Sequence, residues 1–215
     1  MYYDFHGDEE FTRAERVAKL RERIVSDGMG DLNITFLDGR KADLEEIINC
    51  CNTLPFLTNR RLVIVEGLLR RFEAGKGPRR QTSRLTSPSQ GSSEDAKRLL
   101  DYLPHLPAST RLIFVENVRL SSNNPILREA KNSKECHIRE FKKPTGSGLR
   151  EWIRLRAREK GSDITREAIN ALASSGSGDL RSLDQELEKL AAFAAYSRPV
   201  TANDVKALVS ASHEA

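Results

Sequence analysis

A phosphate-binding loop is the first chemistry to test, because a short apolar stretch near the start runs into His6-Gly7-Asp8-Glu9-Glu10-Phe11. A Walker A loop reads G-x-x-x-x-G-K followed by Ser or Thr. Its backbone amides cradle phosphate, while the lysine and hydroxyl reach oxygens and magnesium. Here Gly7 is the one glycine present, no lysine follows, and Asp8, Glu9 and Glu10 stand where an anion would sit. Such a loop repels a triphosphate. The Gly75-Lys76 pair lacks both the upstream glycine and the following hydroxyl. Glu66 and Glu116 close two apolar runs, as magnesium-holding acids do, but neither run ends in Asp-Glu. No G-x-S-x-G elbow and no Ser/His/Asp arrangement stands out. The adjacent carboxylates Glu9-Glu10 and Glu45-Glu46 read as ordinary solvated helix charges. Cys50 and Cys51 are sequence neighbours, which disfavours a bridge between them, and Cys136 is unpaired in number. Cys136 and His137 would point to opposite faces of a strand. The expectation is no metal, no cofactor, no catalytic residue, and reduced thiols of a cytoplasmic protein.

That leaves binding, for which two segments qualify. In Thr53-Leu54-Pro55-Phe56-Leu57-Thr58-Asn59-Arg60-Arg61, the proline stops a preceding helix and leaves Leu54, Phe56 and Leu57 on a short turn. An apolar cluster on a loop can anchor in a partner's pocket; equally, part of it can fold back to cap the sheet. The second segment is a cationic stripe. Arg150, Arg154 and Arg158 recur every four residues and share a helix face, which fits contact with phosphates or with another protein. Solvated charge paired with Glu151 and Glu159 is the plainer reading.

The elements that must position these residues alternate. Strand patterns cover Met1–Phe5, Leu32–Leu37, Leu62–Val65, Leu112–Val115 and, most weakly, His137–Phe141. Continuous apolar runs of this kind fit strands buried on both faces of a parallel sheet. Helical patterns cover Glu9–Val25, Ala42–Cys51 and Glu94–Tyr102 between them. An open α/β domain over residues 1–143 follows. RLVIVE at Arg61–Glu66 is echoed by RLIFVE at Arg111–Glu116, which predicts two adjacent central strands. Beyond Lys143-Pro144-Thr145-Gly146 only helical patterns occur, at Gly148–Lys160, Thr165–Ser174, Asp179–Tyr196 and Thr201–Ser210. They define a small helical bundle over residues 147–212.

Composition bounds the rest. The chain has 215 residues, 31% charged and 38% hydrophobic, and no apolar run of membrane-spanning length. Its start, MYYDFHGDEE, turns acidic at once, where a signal peptide is basic and then apolar. The formal charge of +4 hints at nucleic acid, but it is concentrated. Arg70, Arg71, Lys76, Arg79, Arg80 and Arg84 face one acid, Glu73, between residues 70 and 93, so the remainder is close to neutral. Residues 73–93, rich in Gly, Ser, Thr, Pro and Arg, are expected to form a basic, flexible surface loop.

Taken in order, the motifs resemble the delta subunits of bacterial DNA polymerase III clamp loaders. The matching blocks are HGDEEF, TLPFLTNRRLVIVEG, LLDYLPHLPASTRLIFVEN, LREWIRLRAREKGSDITREAINALA, GDLRSLDQELEKLAAF and VTANDVKALVSAS. NRRLVIVEG and GDLRSLDQELEKLA are the most specific of them. The resemblance implies an AAA+-type fold: a RecA-like, parallel five-stranded sheet flanked by helices, then a three-helix lid. It implies a degenerate phosphate loop at Gly7, Asp8 and Glu9, no ATP hydrolysis, and a non-catalytic role within a DNA polymerase holoenzyme. It places the segment contacting the sliding clamp (beta) on Leu54, Pro55, Phe56 and Leu57. The partners it implies are that clamp, the gamma/tau and delta prime loader subunits, and primed DNA, with no membrane. Arg181 matches a lid arginine that senses nucleotide in active relatives, a role this chain has no nucleotide site to use. Family members continue into a third, collar-forming domain, so the expectation is a piece covering the first two. An ATP-binding AAA+ loader subunit and a stand-alone DNA-binding protein are the competing readings.

Overall fold

The computed structural model describes residues 1–25, 30–73, 88–174 and 179–209. The apolar runs become five strands: β1 Tyr2–Gly7, β2 Ile34–Asp38, β3 Arg61–Glu66, β4 Thr110–Glu116 and β5 Cys136–Phe141. They pair in the order β2-β3-β4-β1-β5, every pair parallel. Parallel strands need crossovers, and these are helical. α1 spans Glu10–Val25, α2 Leu44–Asn52, α3 Pro88–Tyr102 and α4 Pro125–Ala130.

Both sheet faces are buried, which is why the central strands read as unbroken apolar runs. In β3, Val63 and Val65 join one core with Leu44, Ile47, Leu69, Leu99 and Phe114. Leu62 and Ile64 join the other with Phe5, Leu20, Ile113 and Phe141. The echoed strands do lie side by side, shifted by one residue: Leu62 is level with Arg111 and Val63 with Leu112.

Several details differ from the sequence patterns. Leu32 and Asn33 belong to a 3-10 turn, Gly30–Asn33, and β2 begins after it. On α1, Leu20 is buried and Val17 packs beside it, whereas Arg13 takes an interior position and Ala14 and Ala18 are exposed. Residues 74–87 of the expected basic loop lie outside the described residues, and from Pro88 onward that stretch is helix. Proline's fixed φ suits a first helical position, so the run of polar residues after Pro88 hid a helix start. α4 has no apolar periodicity long enough to notice. Its start is nonetheless written in Asn124-Pro125, where the Asn124 side chain accepts from the Ile126 and Leu127 amides.

The chain divides into two compact units, Met1–Lys142 and Lys143–Ala215. Among its described residues the second contains four helices, where the resemblance implies a lid of three: α5 Gly146–Glu159, α6 Arg166–Ser174, α7 Leu180–Phe193 and α8 Ala202–Val209. Ile153, Ile169, Leu172, Leu183, Leu187 and Val205 are buried within it. The starts of α6, α7 and α8 use side-chain caps. Thr165 Oγ1 accepts from the Ala168 amide, Asp179 accepts from Arg181 and Ser182, and Asp204 accepts from the amide and hydroxyl of Thr201. Among the described residues, no helix is long and apolar enough to cross a membrane.

Candidate functional site

Among the described residues of the first unit, the segment between α2 and β3 carries the largest cluster of exposed apolar side chains. Leu54 is 81% exposed, Phe56 57% and Leu57 72%, with Pro55 half-buried between them. None of the three large side chains folds back on the sheet. The loop is short and pinned at both ends. Where α2 stops, its free carbonyls need partners, and other elements supply them. Arg61 Nε donates to Cys50 O at 3.0 Å, and Thr110 Oγ1 to Cys51 O at 2.7 Å. Arg61 Nη2 also donates to Thr35 Oγ1 at 2.8 Å, tying the loop's exit to β2. Mid-loop, the Phe56 amide donates to Asn33 Oδ1 at 2.5 Å, and Asn33 Nδ2 donates to Phe56 O at 2.8 Å. Leu57 follows with φ of 53°, in the left-handed region that leucine seldom occupies. The result is an ordered loop whose side chains face water. Asn33 was not legible as part of this site, since Leu32–Leu37 reads as one strand and the contact spans 23 positions.

The turn from β1 into α1, Gly7-Asp8-Glu9, is closed by its own chain. Glu9 is buried and sits just ahead of α1, where its carboxylate accepts from the Phe11 amide at 3.0 Å and the Thr12 amide at 2.8 Å. The Thr12 hydroxyl donates to it as well. These first-turn amides are the donors that hold an anion at a helix start, and a carboxylate already holds them. Arg13, buried, donates to Gly7 O at 2.7 Å and to Asn117 Oδ1 at 2.6 Å, bracing the loop from behind. Gly7 has φ of 135°, and a Cβ there would lie 1.9 Å from Phe141 O. Its glycine is required by the approach of β5. Asp8 is exposed.

At the strand ends, Glu66 is exposed and accepts from Asn117 Nδ2 at 2.8 Å. Glu116 is only 1% exposed and accepts from the Leu69 amide at 2.6 Å. Burial pushes its carboxyl up to about 7, helped by the nearby Asp4 and Glu73 and opposed by the Leu69 and Arg70 amides. The two acids therefore do different things: one is wetted, the other fastens a turn. All three cysteines are free, and burial pushes the Cys51 thiol up to about 12. Among the described residues, no group of three His, Cys, Asp or Glu is placed to hold a metal ion.

The cationic stripe belongs to the second unit and is largely paired. Arg154 forks onto Glu151 at 2.9 and 2.5 Å, and Arg158 lies 4.0 Å from Asp163. Arg150 is exposed one turn before Arg154. Arg156 and Lys160 instead tie α5 to α7 through Asp184, and Lys160 also reaches Glu188 at 2.7 Å. Arg181 is exposed in the first turn of α7.

A model of the DNA polymerase III delta subunit family matches residues 3–141. The chain belongs to that family. Over 212 residues, 99% of its length, it is 24% identical to the DNA polymerase III subunit delta of Bacillus subtilis and covers 57% of that protein. The solved structure of the Bacillus subtilis DNA clamp loader delta protein matches with a TM-score of 0.75 at 23% identity. That match covers 97% of this chain and 57% of the other. The chain thus spans little more than half the length of these relatives. The shared fold is a parallel five-stranded sheet flanked by helices, followed by a helical part.

Proposed function

We propose that the chain is the clamp-engaging part of a bacterial clamp-loader delta subunit. It binds the ring-shaped sliding clamp through Leu54, Pro55, Phe56 and Leu57, and helps open one interface of the ring for loading onto primed DNA. The observation carrying this reading is the pinned loop with three large apolar side chains in water. Burying a leucine or phenylalanine is worth about 1.5–3 kcal/mol, so two or three such anchors account for useful affinity after the cost of association. Opening follows if the plug fits the strained clamp better than the relaxed one, since a ligand shifts an equilibrium only by its differential affinity.

In this reading the chain has no ATPase site of its own, supported by the Glu9 carboxylate on the α1 amides. Hydrolysis belongs to partner subunits of the gamma/tau type, assembled with delta prime, in the cytoplasm where replication takes place. Arg150, Arg154 and Arg158 are secondary contacts to DNA or to a partner. Exposed pairs such as Arg154–Glu151 are worth about 0–1 kcal/mol, so exchanging them for phosphate costs little.

The deciding experiment is titration with the cognate sliding clamp. Replacing Phe56 and Leu57 together by Ala should weaken binding at least about a hundredfold, roughly 3 kcal/mol. Circular dichroism and the melting temperature should not change, because both side chains are exposed. Unchanged clamp affinity in the double variant would overturn the assignment of the loop.

A further inference from the structure

We infer that Asn33 is a positioning residue for the docking loop, its buried carboxamide holding the Phe56 main chain so that the Phe56 and Leu57 side chains are presented ready to dock. The inference rests on the reading of that loop as the clamp-binding element.

Asn33 is fully buried at the end of the 3-10 turn that leads into β2. Both ends of its amide engage one residue, the Oδ1 accepting from Phe56 N–H and the Nδ2 donating to Phe56 O. A single side chain thereby acts as a strand partner would, satisfying donor and acceptor of a residue in another segment. Burying an amide is costly without partners, so this geometry is strongly selected by the fold once the turn has placed Asn33 inside.

What the amide holds distinguishes it from an ordinary core contact. A buried polar clamp usually fixes a segment whose own side chains also pack. Here Leu54, Phe56 and Leu57 are all exposed, so main-chain bonds rather than side-chain burial order the middle of the loop. Leu57, next in the chain, is kept at a positive φ, a conformation that persists only where the surroundings over-determine it. The division of labour is clear: the backbone is spent on order, and the apolar side chains are left available. A loop ordered before the encounter does not lose that freedom on binding, which strengthens affinity without adding a contact to the partner.

The test compares Asn33→Ala and Asn33→Asp with the wild type in the full chain, below each variant's melting transition. Three quantities are read: melting temperature, hydrogen exchange at the Phe56 amide, and affinity for the cognate sliding clamp. In Asn33→Ala the Phe56 amide should exchange at least tenfold faster, and clamp affinity should fall at least tenfold although no clamp-facing atom is removed. Asn33→Asp retains the acceptor for the Phe56 amide and loses the donor to its carbonyl. It should keep most of the amide protection and lose about threefold in affinity. A purely structural asparagine would lower the melting temperature while leaving the affinity of the folded protein at the wild-type value, and that result overturns the inference. If Asn33→Ala does not fold, Asn33→Asp carries the comparison, with wild-type affinity again the overturning result. Phe56→Ala/Leu57→Ala is run alongside. Binding lost there but kept in Asn33→Ala removes this inference alone, whereas a wild type that does not bind the clamp removes the docking reading as well.

Discussion

Two buried carboxylates, Glu9 and Glu116, are held by backbone amides in different surroundings. Glu9 is buried just ahead of α1, with the Phe11 and Thr12 amides and the Thr12 hydroxyl donating to it. Glu116 is buried against Leu69, and its carboxyl is pushed up to about 7, mainly by loss of solvent. An acid whose folded value lies above its ordinary 4.5 takes up protons on folding within that interval. Its contribution to stability is complete below about pH 4.5 and is lost as pH rises through about 7. The unfolding free energy from denaturant titration should therefore fall by about 3 kcal/mol between pH 4.5 and 8, and Glu116→Gln should flatten that slope. Asp204, held well below the usual carboxylate range by Arg198 and by the Thr201 amide and hydroxyl, loses its contribution only in more acid solution, outside this window. A slope that survives Glu116→Gln would show another group to be responsible.

At the scale of elements, the junction of β1 with α1 decides more than its motif suggests. Gly7 reads as the remnant of a phosphate loop, yet its conformation answers to a neighbouring strand. It has positive φ, and an added methyl would meet the Phe141 carbonyl. Gly7→Ala should destabilise the protein by more than about 2 kcal/mol, measured by thermal or denaturant unfolding, because β5 must shift to admit it. Elements with strong periodicity were legible from residue order: the runs LVIV and LIFV, and the stripe Leu180, Leu183, Leu187 and Leu190 of α7. Their burial follows from hydrophobic spacing and needs no distant partner. α4, the 3-10 turn at Gly30–Asn33 and the early start of α3 were not legible in that way. They are short or polar, and the start of α4 depends on the Asn124 cap rather than on periodicity.

For the molecule as a whole, the net charge of +4 invites a nucleic-acid reading, while the exposed apolar loop invites a protein partner. The two make different predictions about salt. Phosphate neutralisation gives an affinity that falls steeply with ionic strength, with a logarithmic slope near the number of contacts. Apolar docking gives a shallow dependence. Clamp affinity should thus change by less than about threefold between 50 and 300 mM salt, whereas any DNA affinity of this chain should collapse over that range. Clamp binding as salt-sensitive as DNA binding would move the interface from the loop to the basic residues.

Residue order alone carried the alternation of strands and helices, the parallel sheet, the acidic turn after β1, and an apolar turn around Pro55. Each of these is encoded in residues close together in the chain, through periodicity, turn chemistry or charge. Only the tertiary structure decided that Leu54, Phe56 and Leu57 face water, that Asn33 grips the loop across 23 positions, and that Glu9 fills the helix terminus it precedes. Exposure and long-range hydrogen bonds depend on which segments the sheet brings together, and local spacing carries no record of that.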